Sequence, residues 1–294
     1  MNGLGLMHYF LGLEVWQKPS EIFLSQGKYI VKLLERCGMV DCKSVITPME
    51  LNFKKLCGSV AGPELANPFD YCQLVGGLMF LVNSRPKICF AVNTLSQFIV
   101  EPHRIHWIAA KNLLRYIQGT IHWLRYTVGN LRLHGYSDAN WVGSLVDRKS
   151  TSMCCFSLGS TSISWMSRKQ KSVALSTAET EYIAASMACC EDVWLRKVFS
   201  ELFEHVLDTT VIFYKNQSGI HLSENHVFHD RFKHIDIKYH FIWDMVQRIV
   251  IRLQNIRTDE QVADILTKPL GKVKFLTFRE RLEVVERPSY EGSV

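Results

Sequence analysis

Gly135-Tyr136-Ser137-Asp138-Ala139-Asn140-Trp141 places a carboxylate in the middle of a stretch that otherwise reads as a strand. In an extended backbone alternate side chains share a face, so Asp138 projects with Tyr136 and Asn140. A carboxylate in an apolar strand costs desolvation unless a partner or a metal meets it. The stretch therefore asks for a sheet around residue 138 and for something that answers its charge.

Working outward, strands read at residues 131–141, 153–158 and 161–166, with Gly159-Ser160 at the turn between the last two. Residues 177–203 carry Ala178, Tyr182, Ala185, Ala188 and Leu195 at helical spacing, a small-residue face suited to packing. A buried-type strand follows at 210–214, a helix near 235–248, a strand at 249–256, and a short helix at 259–268 closed by Pro269. Five strands interleaved with helices predict a mixed α/β domain over residues 131–294.

Upstream the texture differs. Residues 8–16 and 21–24 read as a hairpin across Lys18-Pro19-Ser20, Ser25 as the N-cap of a helix over 26–37, and Gly38 as its stop. Residues 41–68, with three prolines, read as a loop. Helices follow at 69–83, 87–100 and 103–118. The last bears His103, Arg104, Trp107, Lys111 and Arg115, either a solvated amphipathic face or a nucleic-acid contact. The early run Tyr9, Phe10, Leu11, Leu13 reads as a start inside a domain.

Bulk properties exclude classes rather than name one. With 47% hydrophobic and 21% charged residues the 294-residue chain is not disordered. The formal charge of +6 is compatible with a polyanionic partner. Residues 1–130 hold 13 Lys and Arg against 8 Asp and Glu, so the basic excess lies upstream of Asp138. Nine cysteines, two pairs of them adjacent, form no C-x-x-C and read as reduced thiols of an intracellular protein. Neither a signal peptide nor a membrane-spanning run is legible, so a secreted or membrane protein is not expected.

Other acidic residues sit at element edges: Glu179 and Glu181 near the start of the long helix, and Asp264 in the last short one. Singly, each has an ordinary explanation, dipole pairing at a helix start or solvation. A second cluster, His229, His234, Asp236 and His240 among Arg231, Lys233 and Lys238, matches no standard zinc spacing.

Taken in order, the acidic positions resemble the ribonuclease H arrangement, and the wording resembles its copia-type retrotransposon form. The matching motifs are Tyr-Ser-Asp-Ala-Asn-Trp-Val-Gly, Ile-Ser-Trp-Met-Ser-Arg-Lys-Gln, Leu-Ser-Thr-Ala-Glu-Thr-Glu-Tyr, Lys-His-Ile-Asp-Ile-Lys-Tyr-His and Ala-Asp-Ile-Leu-Thr-Lys-Pro-Leu. Upstream, Tyr-Phe-Leu-Gly-Leu-Glu-Val, Leu-Val-Gly-Gly-Leu-Met-Phe-Leu and His-Trp-Ile-Ala-Ala-Lys-Asn-Leu-Leu-Arg-Tyr-Ile are similar to the segment between polymerase palm and ribonuclease H in those Pol polyproteins.

The resemblance implies that residues 1–127 are the end of a reverse transcriptase, a last palm hairpin with thumb- and connection-like helices and no polymerase site. It implies a ribonuclease H-like domain over 131–294, with a mixed five-stranded sheet flanked by helices. The implied chemistry is two-metal hydrolysis of RNA in RNA–DNA hybrids, four acidic groups holding two Mg²⁺ roughly 4 Å apart. Three of those places fall on Asp138, Glu181 and Asp264, with Glu179 the alternate to Glu181. The fourth, normally the aspartate of Asp-Asn-x-Ser, is Lys215 in Tyr214-Lys215-Asn216-Gln217-Ser218. The expectation is an impaired nuclease, the ammonium of Lys215 meeting Asp138 and Asp264 in place of a metal. The alternatives are a nucleic-acid-binding remnant that uses basic helices over 103–126, or a decayed transposon copy.

Overall fold

The computed structural model describes residues 6–57, 62–65, 67–120, 122–127, 132–144, 147–224, 236–282 and 284–286. The chain divides into two compact units, Met1–Val128 with Pro269–Val294, and Gly129–Lys268.

The first unit opens with strands β1 (Tyr9–Phe10), β2 (Leu13–Lys18) and β3 (Glu21–Ser25), joined as an antiparallel meander. Helix α1 (Gly27–Arg36) buries Ile30, Leu33 and Leu34, one face of its 3.6-residue period, and Gly38 at φ +62° ends it in the left-handed region. Its N-cap is Gln26 rather than Ser25, and the Gln26 amide is spent elsewhere, donating to the Phe80 carbonyl and accepting from Ser84. Helices α2 (Pro68–Val82), α3 (Cys89–Ser96, entered through the 3₁₀ turn Pro86–Ile88) and α4 (Arg104–Gln118) follow.

The basic surface of α4 is partly committed to the unit itself. Arg115 Nε donates to the Lys43 carbonyl at 2.7 Å, and Lys111 Nζ stands 5.2 Å over the Trp107 ring. The expectation of helices through residue 126 is corrected here: α4 stops at Gln118, and β4 (His122–Thr127) pairs with β3, Leu24 opposite Leu124. The alternation in His-Trp-Leu-Arg-Tyr-Thr, with Leu124 1% exposed, is a strand pattern that helix-by-helix reading overlooked.

The second unit holds β5 (Leu133–Asn140), β6 (Thr151–Leu158), β7 (Thr161–Lys169), α5 (Thr177–Phe203), β8 (Thr210–Tyr214), α6 (Gln217–Glu224), α7 (Asp236–Gln247) and β9 (Ile251–Asn255). The strand order is β7-β6-β5-β8-β9: three antiparallel strands, then two that run parallel to β5. This is the mixed five-stranded ribonuclease H-like sheet expected. Helix α5 packs on the central strands, where Phe156, Tyr182, Ala185, Ala188, Ile212 and Tyr214 form the buried core. Gly135 makes room for that core, since a Cβ there would lie 2.6 Å from the Phe156 ring.

The C-terminal boundary also needs correction. The chain from Pro269 was expected within the ribonuclease H-like domain, yet it belongs to the first unit. There α8 (Lys272–Arg281) buries Phe275 and Phe278, Phe275 meets Tyr116 edge-on, and β10 (Val284–Glu286) extends the first sheet beside β4. The eight cysteines whose side chains are described are free thiols, and no helix of the described residues is long and apolar enough to cross a membrane.

Candidate active site

Two neighbouring parallel strands bring the key positions together. Asp138 lies near the end of β5, and Lys215 follows the last residue of β8, whose register sets Tyr136 beside Phe213. Alternation puts Asp138 on the face of Tyr136, and Lys215 on the face of Phe213. Asp264 comes from a 3₁₀ turn, Val262–Leu266, where a helix had been expected. That turn is tied to β5 by three side chains: Gln261 Nε2 donates to the Ser137 carbonyl at 2.9 Å, Thr267 Oγ1 to Asp138 Oδ2 at 2.8 Å, and Asn140 Nδ2 to the Thr267 carbonyl at 3.3 Å.

Lys215 Nζ bridges the carboxylates, donating to Asp138 Oδ1 at 3.0 Å and to Asp264 Oδ1 at 2.5 Å. Lys268 Nζ is 2.9 Å from the same Asp264 oxygen. Both aspartates are buried, at 2% and 0% exposure. Glu181, in the second turn of α5, stands near enough for the charges of Asp138 and Lys215 to act on it, and its buried Oε2 has no hydrogen-bond partner.

The titration behaviour follows from burial and charge. Burial, and then the Asp138 charge, push the Glu181 carboxyl up to about 8, with Lys215, Lys268 and the Ala139 amide opposing. Burial likewise raises Asp138 against the pull of Lys215. Burial pulls the Lys215 ammonium down, but Asp138 and Asp264 together outweigh it and leave it raised. With its carboxyl near 8, Glu181 is largely protonated at neutral pH, while the Lys215 ammonium is held by Asp138 and Asp264.

A pair of divalent cations does not fit this donor set. Their ligand oxygens on Asp138 and Asp264 already accept from Lys215, Lys268 and Thr267. Among the described residues no group of three or more His, Cys, Asp or Glu is placed to hold a metal ion. A metal ion bound at 4 Å from Lys215 Nζ would meet repulsion of several kcal/mol at an effective dielectric near 20.

All four sequence-predicted positions thus converge, with Asp138, Asp264 and Lys215 in direct contact. Glu179 is turned to another task. Its Oε2 accepts the Leu175 amide at 2.7 Å while its own amide donates to the N-cap hydroxyl of Ser176, so it closes the start of α5. His229 and His234 of the histidine cluster lie outside the described residues. Thr267 and Lys268 were missed as members of the site, although their spacing of three and four residues from Asp264 already placed them within one turn of it.

No family model matches the chain. It is 40% identical over 290 residues to the retrovirus-related Pol polyprotein from transposon RE2 of Arabidopsis thaliana, covering 98% of this chain and 20% of that one. It is 38% identical over 289 residues to the corresponding polyprotein from transposon TNT 1-94 of Nicotiana tabacum, covering 95% of this chain and 22% of that one. Among solved structures, the N-terminal ribonuclease H domain of a Mycobacterium tuberculosis protein aligns over 51% of this chain and 97% of its own, at 8% identity and a TM-score of 0.36. The chain spans about a fifth of the length of the polyproteins it matches. Similarity sustained over nearly every residue makes it a member of the family of retrovirus-related Pol polyproteins of copia-type transposons.

Proposed function

We propose that residues 129–268 form a ribonuclease H-like domain that engages an RNA–DNA hybrid, or a related nucleic acid, and hydrolyses it barely or not at all. The observation that carries this reading is the Lys215 ammonium lodged between Asp138 and Asp264. Two-metal hydrolysis requires carboxylates free to bind Mg²⁺, one ion activating the water and the other neutralising the leaving oxygen. Here those carboxylates hold ammonium groups instead. Lysine supplies hydrogen bonds and a single charge but cannot lower the pKa of a bound water as a divalent ion does.

The chain's own residues still provide a polar, cationic point at the ends of β5 and β8. Lys268, whose side chain remains 39% exposed, can offer its remaining donors to a backbone phosphate. The first unit corresponds, under the same proposal, to the end of a reverse transcriptase. It has no Tyr-x-Asp-Asp and contributes no polymerase chemistry. The setting implied is intracellular.

The test is an RNA–DNA hybrid cleavage assay with Mg²⁺, run beside a binding titration over salt concentration. Binding with a steep salt slope and no cleavage above background supports the proposal. Lys215→Asp is expected to gain cleavage by at least a hundredfold. Full nuclease activity in the unsubstituted chain, or no salt-dependent binding at all, overturns it.

A further inference from the structure

The first unit buries two cations, and no carboxylate of the described residues stands opposite them. Arg85 and Lys87 flank Pro86 where the 3₁₀ turn enters α3, and each is 1% exposed. Arg85 Nη1 donates to the Thr120 carbonyl at 2.6 Å, but its Nε and Nη2 have no acceptor. Lys87 Nζ has none either. It stands 5.7 Å from the centroid of the Tyr116 ring, whose buried hydroxyl lies beside Thr120 and Arg279. Arg279, from α8, adds a third positive charge that acts on both Lys87 and Tyr116, and its buried Nε lacks an acceptor too. No carboxylate is among the charges that act on Arg85 or Lys87.

Burying one ion costs several kcal/mol even after relaxation, unless a counter-charge is close. The aromatic face of Tyr116 relieves Lys87 in part. It does nothing for the guanidinium N–H groups, each of which carries its own desolvation cost. Arg85 Nε and Nη2, Lys87 Nζ and Arg279 Nε all have hydrogen atoms to give and no acceptor among the described residues, a donor set suited to an occupant that accepts from it. The occupant must accept hydrogen bonds and carry negative charge, which excludes cations and neutral solutes. Burial of Arg85 and Lys87 to 1% exposure favours the smallest such species over a phosphate ester or a nucleic-acid backbone.

We propose that Arg85, Lys87 and Arg279, beside the Tyr116 ring, form a binding site for a small inorganic anion of about the size of chloride. The site lies within the first unit and is independent of the ribonuclease H-like reading. Its role is to supply the charge that the core of this unit lacks, so that folding of the unit depends on the anion.

The experiment is thermal unfolding of the full chain at constant ionic strength, with sodium gluconate progressively replaced by chloride, and in a second series by inorganic phosphate. The unsubstituted chain is expected to gain several degrees in Tm along a saturating curve with chloride. A saturating response to phosphate instead would support the same site with a larger occupant. Lys87→Met removes one cation, and Lys87→Asp supplies an internal carboxylate. Both are expected to melt higher than the unsubstituted chain in gluconate and to lose at least tenfold in apparent anion affinity. A Tm indifferent to both anions, or equal responses in the unsubstituted chain and whichever variants fold, overturns the proposal.

Discussion

Lys215 and Lys87 are both lysines drawn largely out of water, and the two units of the molecule treat them in opposite ways. Lys215 is met by two buried carboxylates at 3.0 and 2.5 Å, and its ammonium is stabilised beyond its ordinary range. Lys87 is met by two guanidinium groups and a tyrosine, and burial first, then Arg85 and Arg279, push its ammonium well down. Depth of burial alone does not decide the charge state of a side chain. The sign of what surrounds it does. In the second unit a cation in place of an expected aspartate answers two buried carboxylates; in the first a cation adds to an excess that no described side chain offsets.

One substitution made at both positions gives the sharpest contrast. Lys215→Met strips the counter-charge from Asp138 and Asp264, and breaking a buried pair in this way costs roughly 3–5 kcal/mol. Lys87→Met removes an unpaired ammonium from the core and is expected to stabilise by roughly 1–3 kcal/mol in a buffer without small anions. Urea unfolding of the two variants measures both, and shifts of the same sign would break the comparison. Next in size is the response to magnesium. Lys215→Asp places another carboxylate beside Asp138, so its stability should fall without metal and recover with it, by about 2.7 kcal/mol at a hundredfold excess over Kd. The unsubstituted chain should show no such recovery.

How much of this was legible beforehand follows the same physical line. The long helix Thr177–Phe203, the strand Thr210–Tyr214 and the convergence of residues 138, 181, 215 and 264 rest on periodicity and on extended motifs, and these survive translation into three dimensions. Short elements did not translate as well. The turn carrying Asp264 closes as 3₁₀, and the residues that flank it, Gln261 and Thr267, are tethered to Ser137 and Asp138 of β5, partners far away in sequence. Strand β4 was hidden beside a strongly helical neighbour, and its pairing with β3 and β10 is a tertiary event that no local window contains. Glu179 and Glu181 are two residues apart, too close for spacing to separate. Only the hydrogen bond from the Leu175 amide assigns Glu179 to the helix cap. The Arg85, Lys87 and Arg279 cluster was invisible because Arg279 lies far in sequence from the other two and all three carry charges that read as surface.

His106 offers a third way of burying a polar group, and the smallest test. It lies on the buried side of α4 in the same unit as Lys87, 2% exposed, with its ring stacked on Phe98 at 3.9 Å. Its Nδ1 accepts the His103 amide at 2.9 Å, so the proton must sit on Nε2, which donates to the Leu56 carbonyl at 2.9 Å. Only the neutral ring satisfies both contacts, and burial, despite the Leu56 bond, holds the imidazole below its ordinary range. The unfolded chain therefore binds this proton more readily than the folded one, and stability falls as pH drops from about 6.5 through the lowered folded value. Protonation would place a second donor against the His103 amide, forfeiting about 1 kcal/mol for that bond. In His106→Gln the acid-side decline in Tm should flatten, while at pH 8 the loss is confined to packing. An undiminished decline in the variant would mean that some other group carries the acid sensitivity. The neutral, doubly bonded solution would then no longer stand beside the paired Lys215 and the unpaired Lys87.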